Sequence, residues 1–167
     1  MDKKELTRDR LCELLDVDVE KGIFVWKHTM GGKAKKGQEA GALTANGYVQ
    51  LRLDKQDYLA HRLMWFYVYG AFPVLQIDHI DRDKTNNSAN NLRLATPKQN
   101  GENRSLKSNN SSGHRGVFFR KDLISKPWHV SIMNNRKTIH IGFFATLDEA
   151  IKERRIAEDK YFTHHTK

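Results

Sequence analysis

Asp78 and His79 stand side by side in the run Leu75-Gln76-Ile77-Asp78-His79-Ile80, and both side chains can do chemistry. A carboxylate is a hard oxygen donor, and a neutral imidazole with an ordinary pKa of about 6.5 can take a proton from water. Matching groups follow: Asn91 at the exit of a polar loop, and Asn100 in the first turn of a following helix. One carboxylate and one amide carbonyl, completed by water, suit Mg²⁺ or Mn²⁺ and leave coordination positions for phosphate oxygens. An imidazole beside such a phosphate would activate an attacking water. The alternative is structural, with Asp78 as a loop cap and the asparagines as turn formers. Residue types alone leave both open.

A calcium loop starting at Asp81 is set aside on its spacing: the sixth residue is Asn86 where glycine is required, and the twelfth is Leu92 rather than a bidentate Glu. The single cysteine, Cys12, excludes an internal disulfide and a zinc site built on several thiolates. With 167 residues the chain suits one ordinary domain or two small ones. The opening MDKKELTRDR lacks the apolar stretch of a signal peptide, and no apolar run approaches the ~18 residues of a spanning helix, so a cytoplasmic protein without membrane contact is expected. The net charge of +9 is unevenly spread: residues 98–140 carry nine basic and two acidic side chains. That stretch, interleaved with Phe118, Phe119, Trp128 and His140, suits a phosphate backbone.

The elements around the reactive pair can be read from periodicity and caps. Thr7 caps a short helix with the apolar stripe Leu11, Leu14 and Leu15, and Ile23-Phe24-Val25-Trp26 is a strand. Asn46-Gly47 signals a type I′ turn before the alternating strand Val49, Leu51, Leu53, and a helix is expected from Tyr58 to Tyr69, ended by Gly70. Its His61 is expected to be a buried, hydrogen-bonded residue rather than a ligand. Leu75–Ile80 and Leu92–Leu94 are strands, and Thr96-Pro97-Lys98-Gln99 starts a helix on which Asn100, Asn103 and Lys107 share a face. Beyond a Ser- and Asn-rich linker, Gly116–Arg120, Trp128–Met133 and Thr138–Phe144 read as three strands, with Asn134-Asn135 turning between the last two. Thr146 and Glu149 form a capping box for a final helix.

Ile77-Asp78-His79-Ile80-Asp81, Asn90-Asn91-Leu92-Arg93 and Gln99-Asn100 together resemble the HNH endonucleases of the phage and intron homing type. Twelve positions separate His79 from Asn91 and nine separate Asn91 from Asn100, as in that family's ββα-metal motif. Gly22-Ile23-Phe24-Val25-Trp26, Gly47-Tyr48 and Ala60-His61-Arg62-Leu63 are similar to its lead-in. The resemblance implies that His79 is the general base, that Asp78 and Asn100 hold one divalent ion, and that Asn91 holds the loop and orients His79. Arg93 and Asn103 would be phosphate contacts or supports of the site, Lys107 a further DNA contact. Products would carry 5′ phosphate and 3′ hydroxyl. Asn100 stands where many relatives have His, which implies a single hard-metal site.

The tail resembles the ethylene-response-factor (Apetala-type) DNA-binding domain in Ser112-Gly113-His114-Arg115-Gly116-Val117, Trp128-His129-Val130-Ser131-Ile132, Ile139-His140-Ile141-Gly142-Phe143-Phe144 and Thr146-Leu147-Asp148-Glu149-Ala150. In that family a three-stranded sheet enters the major groove, and by position the groove-facing set would be Arg115, Phe118, Arg120, His129, Ser131, Met133, Thr138 and His140. The expectation is therefore an α+β protein: an HNH nuclease domain over 1–105, a linker over 106–113, and a three-stranded sheet packed on one helix over 114–167. It would be a metal-dependent nuclease acting on double-stranded DNA, monomeric by default. The rivals are a DNA-binding regulator on an inactive scaffold and an RNA-binding accessory protein.

Overall fold

A computed structural model of the chain describes residues 5–32, 34–103, 106 and 110–164. They form two compact units, Met1–Thr96 and Pro97–Lys167, built of helices and small antiparallel sheets.

The first unit opens with α1 (Arg8–Leu14), whose start is fixed by the Thr7 hydroxyl accepting from the Arg10 amide at 3.2 Å. Leu15, expected on the helical stripe, instead begins β1 (Leu15–Asp18), which pairs with β2 (Ile23–Trp26). The stripe still reaches the core, because Leu11, Leu14 and Leu15 are all buried. A second sheet has the order β3 (Ala42–Leu43), β4 (Val49–Leu53), β5 (Gln56–Leu59). Tyr58 and Leu59 pair with Leu51 and Gln50, so α2 (Ala60–Tyr69) starts two residues later than its apolar spacing suggests. Gly70, at φ 78°, caps it as expected.

The turn chemistry differs from the dipeptide signal. At Asn46-Gly47 only Gly47 has positive φ, and its amide donates to the Thr44 carbonyl at 2.8 Å, the pattern of a longer hairpin loop ending in a left-handed glycine. The two-residue turn with both φ positive lies at Asp54-Lys55, between β4 and β5. The chain reverses at both places, through a longer loop at the first and a two-residue turn at the second. Leu11, Phe24, Leu51, Leu53, Leu63 and Met64 form the centre of the core under these elements. The unit ends with β6 (Gln76–His79) paired to β7 (Leu92–Ala95).

The second unit begins with α3 (Pro97–Glu102) and places Pro97 in the first helical position, where its missing N–H costs nothing. The helix stops at Glu102, so Asn103 lies in the turn beyond it and the expected shared face with Asn100 is cut short; Lys107 lies outside the described residues. The buried Glu102 carboxylate accepts from the amides of Thr163 and His164 at 2.8 and 3.0 Å, which ties α3 to the end of the same unit. The sheet has the order β10 (Lys137–Phe144), β9 (Trp128–Asn134), β8 (Val117–Phe119). Its β9–β10 turn is centred on Asn135-Arg136, both at positive φ, one residue later than expected. Behind it lies α4 (Leu147–Tyr161), started by the Thr146–Glu149 capping box and packed through Ala150 and Ala157.

Gly22 links the first hairpin to the reactive segment. It sits at φ 73°, and a Cβ there would overlap the backbone of Asn87 and Ser88. Gly22→Ala is expected to destabilise the protein by at least ~1–2 kcal/mol from backbone conformation alone. Urea denaturation measures the loss; an unchanged midpoint would show that the hairpin does not press on this loop.

Candidate active site

In β6 and β7, Asp78 is the direct cross-strand partner of Arg93, and His79 that of Leu92. The guanidinium grips Asp78 Oδ2 through Nε at 2.9 Å and through a terminal nitrogen at 2.8 Å. With the Asp78 side chain 6% exposed, this is a largely buried ion pair, in which removing either member leaves an uncompensated charge. Arg93, expected as a phosphate or supporting contact, is thus placed on Asp78 itself.

The loop from Ile80 to Asn91 is stitched by its own polar side chains. Asn91 accepts from the Asp81 amide at 3.0 Å and donates to Asp81 Oδ1 and the Asn86 carbonyl at 2.9 and 2.8 Å. Asp83 accepts from both the amide and the hydroxyl of Thr85. These are the local side-chain to backbone bonds that Asn and Asp make in turns. Asn91 closes the loop, and Asn87, carried on that loop, meets the His79 ring.

Asn87 is 2% exposed and its Oδ1 lies 3.3 Å from His79 Nε2. Its Nδ2 donates to the Thr85 carbonyl at 2.9 Å, so the oxygen must be the end facing the ring. A carbonyl oxygen only accepts. Nε2 therefore carries the proton, and in the neutral ring Nδ1 is the basic nitrogen.

His79 itself is buried, at 5% exposed. Its ring packs edge-on against His61 at 5.1 Å between centroids, with Tyr48 at 6.1 Å. Lys84 lies over the Tyr48 ring at 4.6 Å and donates to the Asn46 carbonyl, fastening the hairpin loop to this cluster. Burial lowers the pKa of His79 below the ordinary value, opposed by the Asn87 bond and by Asp81, Asp78 and Asp83. The ring is thereby held as a neutral base at physiological pH. His61 is pushed down to about 3, first by burial and then by the neighbouring His79 and Arg62. It is buried as expected, but its Nδ1 has no hydrogen-bond partner among the described residues.

Asn100 lies on α3 in the second unit, and Asn103 beyond it is 3% exposed. Of the residues expected to face the groove, Arg115 donates to the carbonyls of Gly101 and Glu102 at 2.8 and 3.0 Å, and Arg120 pairs with Asp122 through two bonds. Phe118, Met133, Thr138 and His140 are exposed, His129 is half-buried and Ser131 is buried. Among the described residues no group of three or more His, Cys, Asp or Glu side chains could cage a metal ion, and no helix is long and apolar enough to cross a membrane.

Residues 58–102 match the family model of the HNH endonucleases. Over that stretch the chain is similar to the HNH endonucleases. It is 32% identical over 104 residues to an uncharacterized HNH endonuclease of Acanthamoeba polyphaga mimivirus, covering 61% of this chain and 52% of that protein. It is 38% identical over 55 residues to an SPbeta prophage-derived protein of Bacillus subtilis (strain 168) named as an HNH homing endonuclease, 32% of each chain. Protein 3.8 of Escherichia phage T7 is 39% identical over 72 residues, 41% of this chain and 60% of that one. The chain thus spans about a third to three fifths of the length of these relatives. No solved structure matches it. The HNH match runs from Tyr58 in β5 to Glu102 at the end of α3, and so takes in His61, Asp78, His79, Asn87, Asn91 and Asn100.

Asn87 went unrecognised in the sequence because it sits among turn-forming asparagines of identical type. Its one distinguishing feature, burial, is tertiary. His61 yields a pH prediction. Its folded pKa lies below its unfolded value of 6.5, so the unfolded chain binds more protons as pH falls, and stability present above 6.5 is lost toward pH 3. Between pH 7 and pH 5, His61 should cost about 2 kcal/mol of unfolding free energy. Urea titrations at the two pH values, with His61→Gln showing a flatter dependence, check this; equal slopes would contradict it.

Proposed function

We propose that the protein is a metal-dependent DNA endonuclease that hydrolyses phosphodiester bonds of double-stranded DNA, with His79 as general base. The observation that carries this reading is the His79–Asn87 bond: a ring fixed in one tautomer, kept neutral by burial, one residue from a carboxylate inside a segment matching the HNH family. In this reading Nδ1 of His79 takes the proton of an attacking water, and Asn87 and Asn91 hold the ring and its loop in place. Asp78 and Asn100 would hold one Mg²⁺ or Mn²⁺ ion. The donor types fit, because a carboxylate and an amide oxygen are hard ligands, and an ion here would share Asp78 with Arg93, which engages Oδ2, and be completed by water and phosphate. When bound, the ion would neutralise charge on the phosphate and stabilise the leaving 3′ oxygen. The C-terminal unit would supply DNA affinity through its basic stretch.

One observation favours a second reading, a DNA-binding regulator on an inactive scaffold: the His79 ring is 5% exposed, where a base must meet water. One experiment separates the two. Supercoiled plasmid incubated with the protein and Mg²⁺ or Mn²⁺ should become open circles, and chelator should prevent this. His79→Ala should slow nicking by on the order of 10²–10⁴. Asn87→Ala, which leaves the ring in place but unoriented, should slow it by about 10- to 100-fold. Plasmid that stays supercoiled with both ions, while a gel shift records binding, makes the protein a regulator.

A further inference from the structure

We propose that the outer face of the C-terminal sheet holds single-stranded DNA by stacking unpaired bases on its rings. This rests on the reading of the protein as one that acts on DNA, and goes beyond it in naming the form of DNA and the mode of contact.

Phe118 and Phe143 are both direct cross-strand partners of His129, so the three side chains leave β8, β9 and β10 on one face in a single row. His140, opposite Ser131, joins them from the same face. Ring centroids lie 6.0 Å apart for Phe118 and His129, 5.1 Å for His129 and Phe143, and 4.9 Å for His129 and His140. The opposite face is already occupied, since Val117 and Val130 are buried with Ala150 of α4. The ring face is not core: Phe118 is 48% exposed and Phe143 39%. Exposed apolar rings gathered on one side of a small domain mark a contact surface rather than a packing accident.

What the face lacks identifies its ligand. Bidentate arginine is the commonest reader of base edges in duplex DNA, yet the Arg115 guanidinium is turned to the carbonyls of Gly101 and Glu102, and Arg120 to Asp122. His129 Nε2 and His140 Nδ1 lie 2.9 Å apart and use one nitrogen each on one another. The row therefore offers ring surface more than donors. Paired bases are stacked on their own neighbours and present only their edges, whereas an unpaired base has a π-face to give to a ring, an interaction tolerant of sequence. Charge is complementary: Lys121 and Lys126 in the β8–β9 loop, and Arg136 and Lys137 at the β9–β10 turn, are exposed where a phosphate backbone would pass.

The test uses the full chain in chelator, so that no cleavage intervenes, and fluorescence anisotropy of a labelled fifteen-nucleotide dT strand, the same strand paired with dA, and its uridine RNA equivalent. The single strand should bind more tightly than the duplex, and Phe118→Leu and Phe143→Leu, which keep apolar bulk but remove the ring, should each weaken it about 10-fold. Circular dichroism should match wild type, as both rings are exposed. A second measurement needs no variant: photo-crosslinking of an iodouracil-substituted strand should label peptides of β8 or β10. Duplex binding as tight as single-strand binding, tighter RNA binding, wild-type affinity in both variants, or crosslinks confined to residues before Thr96 would each overturn the proposal. Failure of plasmid nicking with strand binding intact would count against the nuclease reading alone.

Discussion

Nε2 of His79 lies 3.3 Å from the amide oxygen of Asn87 in a site from which water is largely excluded, and the first unit is arranged around keeping it so. A buried amide must be satisfied at both ends. Thr85 takes the nitrogen end, which leaves the oxygen for the ring and selects the tautomer. Asn91 and Asp81 close the loop that carries Asn87, and Gly22 of the first hairpin allows close approach to its backbone because it has no side chain there. Elements sixty residues apart in sequence are thus committed to the orientation of one imidazole. Tyr48, His61 and Lys84 complete the wall, and the desolvation they impose keeps the ring neutral.

The neighbouring carboxylate is governed by a different constraint. Asp78 sits in β6 directly across from Arg93 in β7, so strand register alone delivers the cation to it. A one-residue slip would move every side chain of the hairpin to the other face and break the pair. Buried charge and buried base are therefore held by one short ladder, with the ion pair and the His79–Asn87 bond drawing on the same register.

In the second unit the balance between core and surface falls on the sheet. One face packs on α4 and the other shows rings, and the two arginines that resemblance assigned to DNA contact are engaged with the α3 carbonyls and with Asp122. Arg154, buried in α4, donates to the Arg115 carbonyl at 2.7 Å, and a Cβ at Gly116 would overlap the carbonyl oxygen of Ser131. Cationic side chains in this unit thus serve its folding as well as its surface charge, and a count of Lys and Arg does not tell the two uses apart.

The sequence by itself determined the element types, most of their positions and the likeness to the HNH endonucleases, because alternation, helix caps and the spacing of Asp78, His79, Asn91 and Asn100 are local patterns with local causes. It placed the hairpin at Asn46-Gly47 but not its loop type, and it set the β9–β10 turn one residue early, where ladder register centres it on Asn135-Arg136. Tertiary structure alone decided which asparagine meets the imidazole, that the ring is buried, and that Phe143 joins the exposed row. Each of these depends on what lies across a strand or behind a loop, and no run of adjacent residues encodes that.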